Sequence, residues 1–190
     1  MSELELTPYS LFPRDRDREL NELARDLVKA GYMRGNFLLS AGRRSSYYFD
    51  KYLFVTRPAI LRRLGRFLAE LVPQGTDRVA APELGAVLLG GAVCMELGLP
   101  LVIVKRESTH YGAGRPVKGE LHAGERVTVV EDVVITGTQA LRVARVVADA
   151  GAVVDGVVVV VDREEGGEQR MIEAGIRYTP LFRRRDLAIE

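Results

Sequence analysis

The spacing of hydrophobic residues predicts two amphipathic helices in the first third of the chain. Residues 14–30 place apolar side chains at the i, i+3, i+4 and i+7 positions that form one helical face. The same spacing recurs over residues 60–71, in a helix that we expect to begin near Pro58 and to end before Pro73. The aromatic-rich stretch between these helices, residues 46–54, is typical of a β-strand.

From residue 78 onward, short apolar runs alternate with helical patterns. Residues 101–104, 127–130 and 157–161 are uninterrupted runs rich in β-branched side chains, which are typical of parallel strands covered on both faces. The helix predicted over residues 84–97 is apolar nearly all round, so we expect it to be buried. The remaining predicted elements are strands over residues 78–81 and 176–182 and helices over residues 141–150 and 168–174.

The alternation of strands and helices over about 100 residues predicts a doubly wound α/β fold with a mostly parallel sheet. The chain length fits one compact domain. Within this domain we expect residues 1–55 to form a small N-terminal cap, which begins with an arm over residues 1–13. Residues 56–190 are expected to form the α/β core.

Composition excludes several classes of protein. The 190 residues include 27 basic and 26 acidic side chains, and a net charge of +1 argues against a surface that binds nucleic acid as a whole. The single cysteine, Cys94, excludes an internal disulfide framework and a cysteine-based zinc site. No apolar run has the length of a membrane helix, and the N-terminal residues lack the apolar segment of a secretory signal. We therefore expect a cytoplasmic protein without nucleic-acid or membrane partners.

The most informative segment is residues 127–141, VTVVEDVVITGTQAL, in which a predicted strand leads through Glu131 and Asp132 to a short turn and a helix. Ligands of open α/β sheets bind beyond the carboxyl ends of the strands. A turn of glycine and small hydroxyl residues at a helix start offers N–H groups to an anion. The two acids could hold vicinal hydroxyls or, through water, a divalent cation.

These parts together describe a sugar-phosphate site, and a strand end with solvated acids and an N-capping threonine is the open alternative. Two other nucleotide-binding signatures are not met. The P-loop sequence is absent, and the Gly-Ala-Gly at residues 112–114 has Val117 where a third glycine belongs. Neither an ATPase nor a dinucleotide enzyme is supported.

The sequence EDVVITGT at residues 131–138 resembles the phosphoribosyl-diphosphate (PRPP) motif of the type I phosphoribosyltransferases. Three further segments are similar, in the same order, to those of the orotate phosphoribosyltransferases. They are GRRSSYYFD at residues 42–50, KRESTHYG at residues 105–112 and VDREEGG at residues 161–167. The resemblance covers roughly residues 20–182, which is nearly the whole chain.

This resemblance implies the type I phosphoribosyltransferase fold, with a small hood at the N-terminus over a doubly wound, mostly parallel sheet. It also implies the magnesium-dependent transfer of a phosphoribosyl group from PRPP to orotate. The products are orotidine 5'-monophosphate and diphosphate, in the de novo biosynthesis of pyrimidines. The family resemblance further implies a homodimer in which the loop of residues 105–118 is shared between subunits. Mg²⁺ is expected to be held through PRPP and water, with Asp132 as a possible ligand.

The motif matches also imply roles for individual residues. Glu131 and Asp132 are expected to contact the ribose hydroxyls. The residues expected to bind the phosphate groups of PRPP are Thr136, Gly137, Thr138, Gln139 and Ala140 at the 5-phosphate, and Glu83 and Gly85 at the diphosphate. Arg163, Ser45, Tyr47 and Tyr48 are expected to bind orotate, and Asp132, Lys105, Arg106 and His110 are expected to be catalytic.

Two positions depart from the family pattern. Thr109 stands where a second lysine of the mobile loop is usual, and Ile135 stands where threonine is common. The first change removes a cation at the leaving-group end, and the second removes a hydroxyl next to the base or ribose. The departures leave two alternatives open: transfer to another base, and a PRPP-binding regulatory or catalytically degenerate relative.

Overall fold

The computed structural model describes residues 15–38, 44–106 and 116–187. Its helices are α1 (Arg16–Gly31), α2 (Tyr52–Val55), α3 (Pro58–Ala69), α4 (Val87–Leu97), α5 (Thr138–Asp149) and α6 (Gly167–Glu173). Its strands are β1 (Tyr32–Leu38), β2 (Arg44–Phe49), β3 (Arg78–Pro82), β4 (Leu101–Val104), β5 (Val117–Lys118), β6 (Arg126–Val134), β7 (Val153–Asp162) and β8 (Tyr178–Arg183). A short 3₁₀ helix, Arg184–Leu187, follows β8.

The central sheet confirms the predicted doubly wound, mostly parallel architecture. Its six strands lie in the order β5-β4-β3-β6-β7-β8. All neighbouring strands are parallel except β5, which pairs antiparallel with β4 at one edge. The strand order reverses direction between β3 and β6, and the crevice at such a point is where open α/β sheets bind their ligands.

The valine run of β7 shows how the sheet is covered on both faces. Val158 and Val160 belong to a hydrophobic cluster with residues of α1, α3 and α4, whereas Val157 and Val159 belong to a second cluster with α5 and Met171 of α6. Since successive side chains of a strand point to opposite faces, one uninterrupted apolar run supplies both layers of the core.

The N-terminal part differs in detail from the sequence prediction. The strand predicted over residues 46–54 ends earlier, at Phe49, and pairs antiparallel with β1, a strand that was not predicted. The Asp50 carboxylate accepts a hydrogen bond from the backbone N–H of Tyr52 at 2.9 Å and so starts the short helix α2. The boundary between residues 55 and 56 stays a prediction, because the described elements on both sides of it share one hydrophobic cluster.

Helix α4 corrects one expectation. Its Leu89 and Val93 are buried, but Leu88 and Met95 are exposed, as is Leu84 just before the helix. The prediction that this helix is buried on all sides is therefore wrong for the single chain. Only one of its faces packs against α3 and the sheet, and an apolar sequence does not show which surface covers the other face.

None of the helices in the described part of the chain combines the length and the apolar character needed to cross a membrane.

Candidate active site

A cleft lies at the carboxyl ends of β3, β4 and β6, and it brings together residues from distant parts of the sequence. Six of the predicted site residues line it: Glu83, Gly85, Arg106, Glu131, Asp132 and Gln139. Two further lining residues, Lys51 and Tyr52, come from the start of α2 and were not predicted. The cleft therefore joins the N-terminal part of the chain to the sheet.

The two acids lie inside β6 and not beyond its end, because the strand continues to Val134. Both side chains are almost completely buried. The Asp132 Oδ1 atom accepts a hydrogen bond from the backbone N–H of Val133 at 2.6 Å, and Oδ2 lies 2.8 Å from the Lys51 ammonium. This ion pair compensates for burying a carboxylate, which on its own costs several kcal/mol.

The surroundings of this cluster raise the pKa values of both Glu131 and Lys51. Burial raises the pKa of Glu131 well above its ordinary value, and the negative charge of Asp132 raises it further, although Lys51 offsets part of the effect. Burial lowers the pKa of Lys51, but the charge and hydrogen bonding of Asp132 outweigh this effect and raise the pKa above its ordinary value. Lys51 thus stays a cation, while Glu131 keeps a proton to higher pH than an ordinary glutamate.

The loop after β3 approaches the acidic pair closely. A Cβ atom at Gly85 would lie 2.1 Å from Asp132 Oδ2 and 2.6 Å from Lys51 Nζ, so only glycine fits without displacing one of these groups. The Glu83 Oε1 atom accepts a hydrogen bond from the backbone N–H of Arg106 at 2.7 Å, which ties this loop to the end of β4. The peptide bond between Glu83 and Leu84 is cis.

The turn between β6 and α5 has the form expected of an anion site. Gly137 adopts a positive φ of 76° at the N-cap of α5, and the exposed hydroxyls of Thr136 and Thr138 lie 3.1 Å apart. The Ala140 side chain is buried in the core, so its part in a ligand site would come from the backbone. Arg170, which was not predicted, donates a hydrogen bond to the Thr138 hydroxyl.

This turn packs directly against the start of α6. A Cβ atom at Gly137 would lie 3.1 Å from the carbonyl oxygen of Gly167, and one at Gly167 would lie 2.4 Å from Val134 Cγ1. The backbone N–H of Arg163 donates to the carbonyl oxygen of Val134 at 2.9 Å. The turn that carries the predicted base-binding arginine and the turn that carries the threonines are therefore in backbone contact.

Arg163 forms the centre of the predicted orotate site. Its Nη2 atom donates to the Tyr47 hydroxyl at 2.8 Å and lies 2.8 Å from Glu165 Oε1. The guanidinium also lies over the Tyr47 ring, 4.8 Å from the ring centroid. Tyr48 points to the opposite face of β2, where its exposed ring packs on Phe37. The structure thus brings Tyr47, and not Tyr48, to Arg163.

The other predicted residues lie outside the lining of the cleft or outside the described part of the chain. Lys105 follows β4 and donates its backbone N–H to the carbonyl oxygen of Pro116 at 2.8 Å, outside the lining of the cleft. His110 and Thr109 lie outside the described residues, as does the side chain of Ser45. Ile135 is half-buried and contributes a carbonyl oxygen near Gly167.

Comparison with known proteins agrees with this geometry. The family described as "Phosphoribosyl transferase domain" matches residues 54–174, so fold and site define a phosphoribosyltransferase. The orotate phosphoribosyltransferase of Methanocella arvoryzae is 40% identical over 167 residues, which are 87% of this chain and 95% of that protein. The enzyme of the same name from Pyrococcus furiosus is 41% identical over 150 residues, which are 77% and 82% of the two chains.

A solved structure gives the same result. The crystal structure of the Mycobacterium tuberculosis orotate phosphoribosyltransferase in complex with PRPP matches with a TM-score of 0.77 at 29% identity. The match covers 90% of this chain and 99% of that one. The protein belongs to the orotate phosphoribosyltransferase family.

The close approach at Gly85 leads to a prediction for Gly85→Ala. The added methyl group has to displace the Asp132 carboxylate or the Lys51 ammonium, and a displacement of about 1 Å can cost about 100-fold in rate. We expect kcat/KM to fall by at least about tenfold and the melting temperature to fall as well, because the ion pair that compensates for the buried Asp132 carboxylate is disturbed. Steady-state kinetics and thermal unfolding measure the two effects. Unchanged kinetics would show that the three groups do not need this arrangement.

Proposed function

We propose that this protein transfers the phosphoribosyl group of PRPP to orotate, which forms orotidine 5'-monophosphate and diphosphate in pyrimidine biosynthesis. The observation that carries the proposal is the convergence of the acidic pair and the Gly85 loop on one cleft. Membership of the orotate phosphoribosyltransferase family supports the same reaction. A cytoplasmic location, as the sequence predicts, is part of this proposal.

The reaction is a displacement at the anomeric carbon. A ring nitrogen of orotate loses its proton to solvent and forms the new bond to this carbon, and the bond to the diphosphate oxygen breaks with its electron pair leaving on the diphosphate. Positive charge develops on the ribose and negative charge on the leaving group, so electrostatic stabilisation is the main requirement. In this site Asp132 and Glu131 bind the ribose hydroxyls, and the turn at Thr136–Thr138 binds the 5-phosphate.

Arg163 fits the recognition of a planar, anionic base. Its guanidinium is almost completely buried, and its Nε donor has no hydrogen-bond partner among the described residues. A buried donor without a partner costs free energy, and a carboxylate or carbonyl of the base would satisfy it. Tyr47 fixes the plane of the guanidinium by ring contact and by its hydroxyl.

The acidic pair also fits Mg²⁺ that is held mainly by the substrate. No group of three acidic, histidine or cysteine side chains that could hold a metal occurs among the described residues. Mg²⁺ is commonly bound by one or two carboxylates together with substrate phosphates. Asp132, directly or through water, would therefore hold the ion against the diphosphate. When bound, Mg²⁺ neutralises part of the charge of the leaving diphosphate.

An exposed apolar face supports a homodimer. Leu84, Leu88 and Met95 are 71%, 46% and 81% exposed, and a Cβ atom at Gly91 would meet no atom within 4 Å. This α4 face, defined by these four residues, begins in the loop that lines the cleft and runs along the helix. A second copy of the chain that covers the α4 face would place its own residues beside the cleft, in agreement with the predicted sharing of the loop of residues 105–118.

The proposed function is tested with purified protein, PRPP, Mg²⁺ and a panel of bases that includes orotate, uracil and purines. We expect loss of orotate absorbance with the formation of orotidine 5'-monophosphate, and no turnover after chelation of Mg²⁺. Asp132→Asn is expected to weaken PRPP binding, because it removes the charge that faces the ribose. Turnover of another base alone would identify a different transferase, and PRPP binding without turnover of any base would identify the degenerate relative.

The buried, planar guanidinium of Arg163 leads to a prediction for the affinity of Arg163→Lys for orotate. Lysine keeps the charge but loses the planar arrangement of donors, so we expect KM for orotate to rise about 10- to 100-fold. The dissociation constant of PRPP should stay within about twofold, because Arg163 does not line the cleft. Arg145→Lys, at an exposed position of α5, is the matched control and should leave both constants unchanged. An equal loss for orotate and PRPP would contradict the assignment to the base.

The α4 face predicts that Met95→Glu weakens the dimer. Analytical ultracentrifugation is expected to show a dimer for the unchanged protein and a shift toward monomer for the variant, because the new charge is desolvated in the interface. Val153→Glu places the same change at an exposed apolar residue outside α4 and should remain dimeric. A monomeric parent protein, or a variant that dimerises as tightly as the parent, would exclude this face as the interface.

A further inference from the structure

Among the described residues that line the cleft, Lys51 is the one cation that no sequence motif marked. It stands at the N-cap of α2, and its carbonyl oxygen accepts a hydrogen bond from the backbone N–H of Val55 at 2.9 Å. Phe54 and Val55 are fully buried in the core. The Lys51 backbone is therefore held rigidly, and its side chain extends from there into the cleft.

The contact with Asp132 satisfies only part of the hydrogen-bonding capacity of the Lys51 ammonium. The ammonium lies 2.8 Å from Asp132 Oδ2, and the Lys51 side chain remains 33% exposed. An ammonium group has three donors, and the contact with Asp132 occupies one of them. The ammonium also lies 5.7 Å from the centroid of the Tyr52 ring, and both residues line the cleft, so donors remain for a ligand.

The charges of the cleft require such a donor. Its described lining includes the acidic side chains Glu83, Glu131 and Asp132 and only two cations, Lys51 and Arg106. A diphosphate group that enters this cleft adds several negative charges to a site whose two described cations are already balanced by Glu83 and Asp132. Like charges at close range are costly in a partly desolvated site, so a fixed cation is needed beside the diphosphate.

The arrangement of the diphosphate and hydroxyl groups in PRPP leads to the same conclusion. The diphosphate of PRPP and one of its ribose hydroxyls are attached to adjacent carbons of a small ring. A cation within 2.8 Å of the carboxylate that binds the hydroxyls therefore lies close to the oxygen that leaves. Gly85, which belongs to the predicted diphosphate loop, approaches the same ammonium so closely that a Cβ atom would be 2.6 Å from Nζ.

We infer that Lys51 is a substrate-binding residue that bridges Asp132 and the diphosphate group of PRPP, and that it stabilises this group as it leaves. The inference rests on the proposed function, which supplies PRPP as the substrate. It assigns the diphosphate contact to the N-terminal part of the chain, in addition to the loops of the α/β core. It also distinguishes Lys51 from a residue that only neutralises Asp132.

The test compares Lys51→Met with the unchanged protein in three binding experiments by calorimetry at fixed Mg²⁺ concentration. The three ligands are PRPP, inorganic diphosphate and orotidine 5'-monophosphate, which carries the ribose hydroxyls and the 5-phosphate but no diphosphate. We expect PRPP and diphosphate to bind about 10- to 100-fold more weakly, as for a lost hydrogen bond to a charged group. Orotidine 5'-monophosphate should lose less than about threefold.

Two further variants complete the design. Lys51→Arg keeps the cation and should retain most of the affinity for diphosphate, and Lys29→Met removes an exposed lysine of α1 and should have no effect. If Lys51→Met does not fold, Lys51→Gln provides the same comparison, and circular dichroism establishes which variant is folded.

The outcomes separate this inference from the proposed function. Equal weakening of PRPP and orotidine 5'-monophosphate, with unchanged binding of diphosphate, would show that Lys51 only positions Asp132 and would overturn the inference. An unchanged protein that binds diphosphate through Lys51 but transfers no phosphoribosyl group to orotate would instead contradict the proposed function.

Discussion

The ion pair between Lys51 and Asp132 connects three parts of the chain that are far apart in sequence. Asp132 lies in a central strand of the sheet, where an unpaired carboxylate is costly. Its cation comes from the N-terminal part, on a helix whose next residues are fixed in the core, and Gly85 leaves the space that the pair needs. The shape of the cleft depends on this contact, while the hydrophobic cluster that includes Phe54 and Val55 holds the N-terminal part against the core.

The sheet was predictable because its signal is local. Buried parallel strands need apolar residues on both faces, and the valine run of β7 has them without interruption. The β1 strand was missed because Tyr32–Leu38 contains a glycine and two polar side chains, and most of its residues stay exposed. The exposed side of α4 was missed because an apolar helix looks the same whether its own core or another chain covers it.

The acids, the turns and the cations Arg106 and Arg163 were predictable from the sequence, whereas the cations Lys51 and Arg170 were not. Glu131, Asp132 and the Thr136–Thr138 turn follow one another in a single motif, so the sequence alone placed them together. Lys51 and Arg170 reach the site from elements that carry no ligand-binding pattern of their own, and only the folded chain shows the contact. The separation of Tyr47 from Tyr48 was available from the alternation of side chains along a strand, which assigns adjacent residues to opposite faces.

The backbone contact between Gly137 and Gly167 has a consequence for how this enzyme can evolve. The turn proposed to bind the base and the turn proposed to bind the 5-phosphate approach each other closely at these two glycines, beside the side chains of Val134 and Met171. A substitution that reshapes the first turn to admit a new base therefore shifts the second, which every substrate of the reaction shares. Changes in base preference along this lineage are expected to need compensating changes in both turns, so new specificities are reached through coupled steps and not through single replacements.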